Sequence, residues 1–230
     1  MMNRYGLFCG ALAALLIGLL LGGCGGGGSD TGEAGTSARA PFSPRASLRA
    51  IGGTQRTDKP ELVMLVQARP GDDNIRAATI KLPPVLLVDQ AALGNLCSER
   101  GLAEEDCAGR KRMGVARVLS PAYDEPLSGP VYAVTGSGGL PRLAYVLSGP
   151  ADVLLRGRIV SRGARIQAGV ENAPDTPLRT FEFKIDGGKP GYLVLSRDIC
   201  KGRPMADASF TSQSGESFHQ RIPLRADCGG

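Results

Sequence analysis

The fold class is decided by residues 180–195, which read TFEFKI, then DGGKPG, then YLVL. In the first six residues, Phe181, Phe183 and Ile185 alternate with Glu182 and Lys184. A period of two places the apolar side chains on one face of an extended strand and the charged side chains on the other. The glycines and the proline that follow are typical of a turn. The stretch therefore predicts a strand, a turn and a returning strand.

Nine further segments show the same short, alternating character, and most are separated by Gly, Pro, Asn or Asp. They are Leu62–Gln67, Ala77–Leu82, Gly114–Leu119, Val131–Thr135, Leu143–Leu147, Asp152–Val160, Arg165–Val170, Ala208–Ser212 and Phe218–Leu224. The 33 glycines and 16 prolines of the chain supply enough turns for so many strands. The pattern predicts an all-β fold, an antiparallel β-sandwich of immunoglobulin-like or related type, or two small packed sandwiches.

Helical signal is confined to an insert near residues 89–107. Asp89 is suited to cap a helical turn over Gln90–Leu96, and Leu102–Asp106 predicts a second turn. Because α/β folds need long crossover helices between their strands, this scarcity of helix argues against the common α/β enzyme architectures.

The first 23 residues have the layout of an export signal. Arg4 precedes an apolar run over residues 7–21, and the run ends at Leu21-Gly22-Gly23-Cys24. This ending resembles the lipobox of bacterial lipoproteins. The resemblance implies cleavage before Cys24, acylation of that cysteine, and attachment to a membrane outside the cytoplasm, in the cell envelope or at the cell surface. The alternatives are an ordinary cleaved signal and an uncleaved anchor, although an apolar run of about 15 residues is short for a span, which needs ~20.

The segment from residue 24 to residue 50 is rich in Gly, Ser, Ala and Pro and contains few large apolar side chains. Such a segment buries too little apolar surface to offset the entropy of ordering. It predicts a flexible linker that carries the lipid at Cys24, with one folded module over residues 51–230.

Four cysteines remain beyond the leader and the lipidation site: Cys97, Cys107, Cys200 and Cys228. An even number in an exported chain predicts disulfides, and four cysteines allow three pairings. The hypothesis is that Cys97 pairs with Cys107 across the insert and that Cys200 pairs with Cys228. A metal site is the alternative, but the spacing is wide for zinc and the single histidine is remote. The sequence therefore predicts no metal and no cofactor.

The residues that carry a second resemblance are, in order, Leu82-Pro83-Pro84, Cys97, Cys107, Ser120-Pro121, Gly129-Pro130-Val131-Tyr132, Leu140-Pro141, Asn172-Ala173-Pro174-Asp175-Thr176-Pro177, Gly187-Gly188-Lys189, Cys200 and Gln213-Ser214-Gly215. In this order they resemble uncharacterised β-rich repeat modules of large surface proteins in high-GC bacteria. The resemblance covers residues 51–228 and implies a secreted, disulfide-bearing module of unknown activity. The chain departs from those arrays because it carries a single copy, and this argues against an adhesin-like role.

Residues suited to catalysis do not form a recognisable motif. Ser137 lies in a glycine-rich segment without the acid that trypsin-like nucleophile loops place before the serine, and His219 follows it in the chain rather than preceding it. Alternation places His219 on a polar strand face. The carboxylates of Asp72-Asp73-Asn74, or of Glu171 with Asp175, could hold calcium, but neither set has the spacing of a known loop. The sequence therefore predicts a protein that is not an enzyme.

The formal charge of +5 falls to +4 once the leader, with its one basic residue, is removed. The sequence lacks the long basic runs and the stacking aromatic residues that are typical of a nucleic-acid binder. Arg156 and Arg158 share one face of a strand, and Arg165 follows on the next strand. The leading hypothesis is a non-enzymatic envelope lipoprotein that acts as a structural or binding module, with another envelope protein as a candidate partner. The alternatives are binding of an anionic envelope polymer through this arginine face, and an undetected hydrolase.

Overall fold

The chain folds into a closed β-barrel of eleven strands. The computed structural model describes residues 41–104, 106–107, 112–136, 140–162, 165–189 and 191–229. The all-β expectation is correct, but the predicted sandwich is wrong. A sandwich has two packed sheets with free edges, whereas here one sheet closes on itself.

The strands are β1 Arg45–Ile51, β2 Glu61–Gln67, β3 Ile75–Lys81, β4 Leu86–Val88, β5 Arg112–Leu119, β6 Leu127–Val134, β7 Arg142–Leu147, β8 Val153–Arg162, β9 Arg165–Val170, β10 Thr180–Ile185, β11 Leu193–Leu195, β12 Met205–Ser212 and β13 Ser217–Arg225. The helical segments are a 3-10 helix, Gln90–Asn95, and α1, Glu99–Ala103. As predicted, the Asp89 side chain caps the first of these by accepting a hydrogen bond from the Ala91 amide.

Around the barrel the strand order is β1-β13-β12-β3-β9-β8-β7-β6-β5-β10-β2. All neighbours pair antiparallel except β1 and β13, which pair parallel with Leu48 opposite Leu224. This contact joins the first and last strands of the chain. Closure removes every free edge from the large sheet, and an exposed edge is a liability for aggregation.

The inner faces of the strands form the core. On β10, Phe181, Phe183 and Ile185 point inward as the alternation predicts, and Phe183 is buried. The Tyr145 ring of β7 meets Phe181 and Phe183 edge-on, with centroid distances of 5.7 and 5.2 Å. Such edge-to-face contacts add about 0.5–1.5 kcal/mol beyond the area that they bury.

The linker prediction extended too far along the chain, because β1 lies within residues 24–50. Ala46, Leu48 and Ala50 of β1 are buried while the alternate residues are exposed. The period of two is present in the sequence, but two of its three apolar positions are alanines. Composition therefore suggested a tether where alternation indicates a strand.

The turn after β10 forms as predicted, with Gly188 at a φ of 69°. A Cβ at Gly187 would lie only 2.4 Å from the Glu61 amide nitrogen, so this position requires glycine. The returning strand, β11, was expected to pair with β10 but pairs antiparallel with β4 in a separate two-stranded sheet.

One end of the barrel, here called the closed end, is crossed by two long connections. Residues 82–111 run from β3 to β5, and residues 186–204 run from β10 to β12. Their strands β4 and β11 pair with each other, and Tyr192 is buried between the connections and the barrel. The Asp89 amide also donates to the Tyr192 carbonyl oxygen at 2.8 Å. These connections cover the barrel interior at this end.

Both predicted disulfides are confirmed, and both lie at the closed end. Cys97 is bonded to Cys107 with a Cα–Cα distance of 5.7 Å, and Cys200 is bonded to Cys228 with a Cα–Cα distance of 5.6 Å. Cys97 is also joined to the barrel because its amide donates to the Ala133 carbonyl oxygen at 3.0 Å. The first disulfide packs with Val134 and Ala144 on the outer face of β6 and β7, beside the closed end, and so holds the insert against the barrel wall.

The opposite end, here called the mouth, is crossed by one connection, residues 171–179, here called the strap. β9 and β10 lie on opposite sides of the barrel, so the strap spans the opening between them. It is held at one side where the Ala173 amide donates to the Arg76 carbonyl oxygen at 2.8 Å. At the other side the Arg179 amide donates to the Leu119 carbonyl oxygen at 2.8 Å. Short turns form the rest of the mouth.

Candidate functional site

A cavity of about 200 Å³, here called the chamber, lies beneath the strap at the mouth. Its wall is built largely from inward-facing apolar residues of the surrounding strands and from the strap. Representative lining residues are Val118, Leu127, Leu147, Val153, Val170 and Leu178. For scale, an engineered apolar cavity of about 150 Å³ stays dry and binds benzene. The chamber is therefore large enough for a small apolar group.

Two smaller cavities continue along the barrel interior. The middle cavity has a volume of about 70 Å³ and shares Ala78, Val170 and Phe181 with the chamber. The inner cavity has a volume of about 50 Å³ and shares Phe183 and Ile185 with the middle one. The shared residues align the three cavities from the mouth to the closed end. A ligand in the chamber would therefore have further apolar space beneath it.

The space follows from the strand number and from the size of the inward side chains. About eight strands give a barrel that side chains alone can fill, and the diameter grows with strand number. Here eleven strands form the wall, and many inward positions hold small residues: Ala46, Ala50, Ala78, Ala116, Gly157, Ala168, Ala206 and Ala208. Small side chains on a wide barrel leave part of the interior unfilled.

Solvent reaches the chamber wall. Val153, Leu155, Val170 and Phe181 point into the barrel, yet each is only half-buried. Phe183 is buried, but Ile159, Ile166 and Ile185 near the closed end are half-buried as well, so partial exposure of the inner wall is not confined to the mouth.

One polar group lies deep in the barrel wall. Tyr145 is 2% exposed and lines the middle cavity. Its hydroxyl has no hydrogen-bond partner among the residues that the structure describes. Burial raises the pKa of Tyr145, so the phenol is neutral and can donate or accept. Buried polar groups are usually hydrogen-bonded, so this hydroxyl is available to a ligand or a water molecule.

Charge is distributed unequally between the two ends of the barrel. The connections at the mouth (68–74, 120–126, 148–152, 171–179 and 213–216) contain eight acidic and two basic residues, a net charge of −6. The connections and termini at the closed end contain nine acidic and nine basic residues by sequence. The mouth is therefore acidic although the whole chain is basic.

One mouth acid joins two turns. The Asp73 carboxylate accepts a hydrogen bond from the Ser214 amide at 2.9 Å, which ties the β2–β3 turn to the β12–β13 turn. Hydrogen bonds from Ser214, and more weakly from Ser212 and Asn74, hold the pKa of Asp73 far below its usual range. Asp73 is therefore a structural carboxylate of the mouth.

The structure does not bring the predicted arginine face together as an uncompensated positive patch. Arg156 on β8 pairs with Glu99 at 2.6 Å, and Arg158 on the same face pairs with Glu171. Arg165 pairs with Asp207 at 2.8 Å and donates to three main-chain carbonyl oxygens, which makes it a structural clamp. An anionic polymer at this face would have to compete with three carboxylates.

The described side chains that were considered for catalysis and for calcium lie in different parts of the molecule. His219 is exposed on the outer face of β13, where its Nδ1 lies 2.9 Å from the Ser209 hydroxyl. Ser137 and Cys24 lie outside the described residues. The structure brings the two sets considered for calcium together at one point, where the Asn74 side-chain amide donates to the Asp175 carboxylate at 2.7 Å, while Glu171 pairs with Arg158. Across the described part of the chain, no three His, Cys, Asp or Glu side chains cluster as metal ligands would.

Sequence reasoning did not find the chamber. Its wall comes from strands far apart in the chain, and the signal that could have indicated it is the number of alanines at inward positions.

Among the described residues, no helix has the length and apolarity needed to cross a bilayer. The chain matches no family model, no curated protein and no solved structure.

Proposed function

We propose that this protein is a lipid-anchored envelope protein whose barrel binds an apolar ligand in the chamber and performs no catalysis. The observation that carries the proposal is the apolar chamber beneath the strap, with half-buried walls and further cavities below it. Ligand sites are commonly concave and mostly apolar, and the mouths of β-barrels are one of their preferred places.

The anchor is supported by the leader and by cysteine use. The lipobox ends at Cys24, and the other four cysteines beyond the leader form two disulfides. Disulfides persist in oxidising compartments outside the cytoplasm. Residues 25–40 connect Cys24 to Pro41, whose carbonyl oxygen accepts a hydrogen bond from Arg69 at the mouth. A lipid on Cys24 would therefore attach the barrel at the end that carries the chamber.

The absence of catalysis is supported by the surroundings of the reactive side chains. The described cysteines are oxidised, so no thiolate nucleophile remains among them. The His219 ring hydrogen-bonds a serine on an exposed sheet face, where no carboxylate among the described residues orients it. A nucleophile–base pair needs both an oriented base and shielding from water.

A binding experiment tests the chamber directly. The protein is an unlipidated chain without the leader and Cys24, residues 25–230, since every strand, both disulfides and all three cavities lie within the described residues. The probe is 1-aminoanthracene, a neutral molecule whose fluorescence rises in apolar surroundings. We expect saturable enhancement at one site per chain. Ala78→Leu, which fills the boundary between chamber and middle cavity, should weaken binding about tenfold.

The matched control is Ala77→Leu. Ala77 is the neighbouring residue on the outer face of β3, so the chemical change is the same but the added atoms point away from the chamber. It should leave binding unchanged. Lack of saturable enhancement with the wild-type chain, or equal weakening by both variants, would contradict the proposed ligand site.

The anchor has its own test. Cys24→Ser removes the acylated thiol, so the variant should lose lipid-dependent membrane attachment. The measurement is the distribution of the full chain between membrane and soluble fractions, together with the mass of its N-terminal peptide. A variant that is processed and membrane-bound like the wild type would show that Cys24 carries no lipid.

A further inference from the structure

The acidic residues of the mouth differ in how far they are compensated. Asp72 and Glu171 form ion pairs with Arg69 and Arg158. In contrast, Asp124, Glu125 and Asp152 have no hydrogen bond or ion pair with any residue that the structure describes. These three carboxylates contribute their full negative charge to the mouth.

The three unpaired carboxylates lie on two neighbouring turns at one side of the opening. Their turns are joined because Ser128 and Ser148 exchange two main-chain hydrogen bonds, of 2.9 and 3.0 Å. The turns also touch directly at Gly149, where a Cβ would lie only 2.8 Å from the Pro126 carbonyl oxygen. The carboxylates therefore form one group, here called the acidic lip, made of Asp124, Glu125 and Asp152.

The acidic lip is directly continuous with the chamber wall. Tyr123 and Leu127, on either side of Asp124 and Glu125, line the chamber, and Val153, next to Asp152, lines it as well. A ligand whose apolar part lies against these side chains would have its exposed end near the lip. The lip therefore determines which charge that exposed end can carry.

We infer that the chamber binds an amphiphile with a single alkyl chain and a cationic head group. This inference rests on the proposed function, and it names the ligand class for the same site. A carboxylate or phosphate head would be repelled by the lip, whereas an ammonium head would be attracted and partly neutralise it. The chamber volume of about 200 Å³ suits one chain. The middle cavity and the unpartnered Tyr145 hydroxyl lie farther along the path of that chain.

The experiment compares ligands that share one tail and differ in the head. Decyltrimethylammonium, decanol and decanoate compete with 1-aminoanthracene for the same unlipidated chain, the two ionic ligands below their micelle concentrations and decanol below its solubility limit. We expect the cation to displace the probe at a concentration about tenfold lower than the anion at low salt, with decanol between them. The ratio should fall as salt rises, because exposed charges are screened within about 8–10 Å at physiological ionic strength.

The variant that tests the lip combines Asp124→Asn, Glu125→Gln and Asp152→Asn. It should remove most of the preference for the cation while decanol binds as before. The matched control neutralises three acids at the closed end, Glu61→Gln, Glu104→Gln and Asp227→Asn. This control changes net charge equally but leaves the lip intact, so the preference should persist.

The outcomes separate this inference from the proposed function. If decanol and the probe bind but the cation and the anion compete equally, or the anion competes better, the head-group inference is wrong and the apolar site stands. If neither decanol nor the probe binds, the proposed function itself fails. If the closed-end variant loses the preference as fully as the lip variant, the effect comes from net charge and the lip does not select the head group.

Discussion

The two ends of this barrel are built from the same strands but are closed by different means. The closed end has both disulfides, the two-stranded sheet of β4 and β11, and the buried Tyr192. The mouth has the nine-residue strap, no disulfide among the described residues, and a net charge of −6 in its connections. Net charge of one sign repels itself and opposes compaction. The difference suggests that stability is concentrated at one end, which leaves the other end free to bind.

Phe181 and Phe183 on β10 give the strongest test of this difference between the two ends. Phe183 is buried toward the closed end, whereas Phe181 is half-buried and lines the chamber. Phe183→Ala should lower the free energy of unfolding by about 3–5 kcal/mol, because it removes a fully buried ring and enlarges the two internal cavities that Phe183 lines. Phe181→Ala should lower it by about half as much, since part of that side chain already faces open space. Urea unfolding followed by circular dichroism measures both, and equal losses would break the proposed division between the two ends.

Removal of either disulfide should have the next largest effect on stability. Replacing Cys97 and Cys107 by Ala should lower the free energy of unfolding by about 3 kcal/mol, and replacing Cys200 and Cys228 by about 3.5 kcal/mol, in the loop-closure model. Both variants should still bind 1-aminoanthracene at a temperature where they are folded, because the chamber lies at the other end.

Peptide mapping under non-reducing conditions provides the check on the wild-type chain. It should yield only the Cys97–Cys107 and Cys200–Cys228 linkages. A disulfide variant that remains folded but loses probe binding would show that the two ends are coupled and not independent.

Most of the strands, the capped insert and the disulfide pairs could be predicted from sequence, because each depends on local pattern or on a small number of combinations, whereas β1 and β4 were not predicted. Alternation in residues 180–185 places Phe183 inward whatever the final architecture is. Closure could not be predicted, since sandwiches and barrels share this alternation. It depends on the parallel pairing of β1 with β13, whose residues Leu48 and Leu224 come from opposite ends of the folded chain.

The candidate site was harder to predict for a related reason. Chamber residues such as Val118, Val153 and Leu178 are ordinary core residues when each strand is considered alone. Only their arrangement around an eleven-strand wall leaves a space between them. The carboxylates that pair with the arginine face could not be predicted from the sequence, because Glu99 lies 57 positions from Arg156 in the chain.

The dependence of stability on acid at the mouth should be a smaller effect, and the pKa of Asp73 fixes its direction. The pKa of Asp73 is lower in the folded protein than in the unfolded chain, because Ser214 donates to the ionised carboxylate. Its contribution to stability is therefore fully present above the ordinary aspartate pKa, about 3.9, and is lost as the pH falls through the lower folded value. Asp73→Asn should lower the melting temperature at neutral pH and make it less dependent on pH below about 5.

Asp124→Asn is the matched control for this pH effect. The Asp124 carboxylate accepts no hydrogen bond from the described residues, so its replacement should leave the acid dependence close to that of the wild type. An Asp73 variant with the same acid dependence as the wild type would show that the link between the β2–β3 and β12–β13 turns does not contribute to stability.

The smallest expected effect comes from Tyr145, which lies between the two ends of the barrel. Its replacement tests whether the middle cavity belongs to the packed closed end or to the ligand path. An unsatisfied buried hydroxyl costs free energy, about 1–3 kcal/mol in mutational data, and its removal with the ring retained can be neutral or stabilising. Tyr145→Phe keeps the edge contacts with Phe181 and Phe183. It should therefore raise the free energy of unfolding by up to about 1 kcal/mol in the ligand-free chain and leave binding of the neutral probe unchanged. A loss of about 1 kcal/mol or more would show that the hydroxyl is hydrogen-bonded in solution. The middle cavity would then belong to the packed closed end and not to the ligand path.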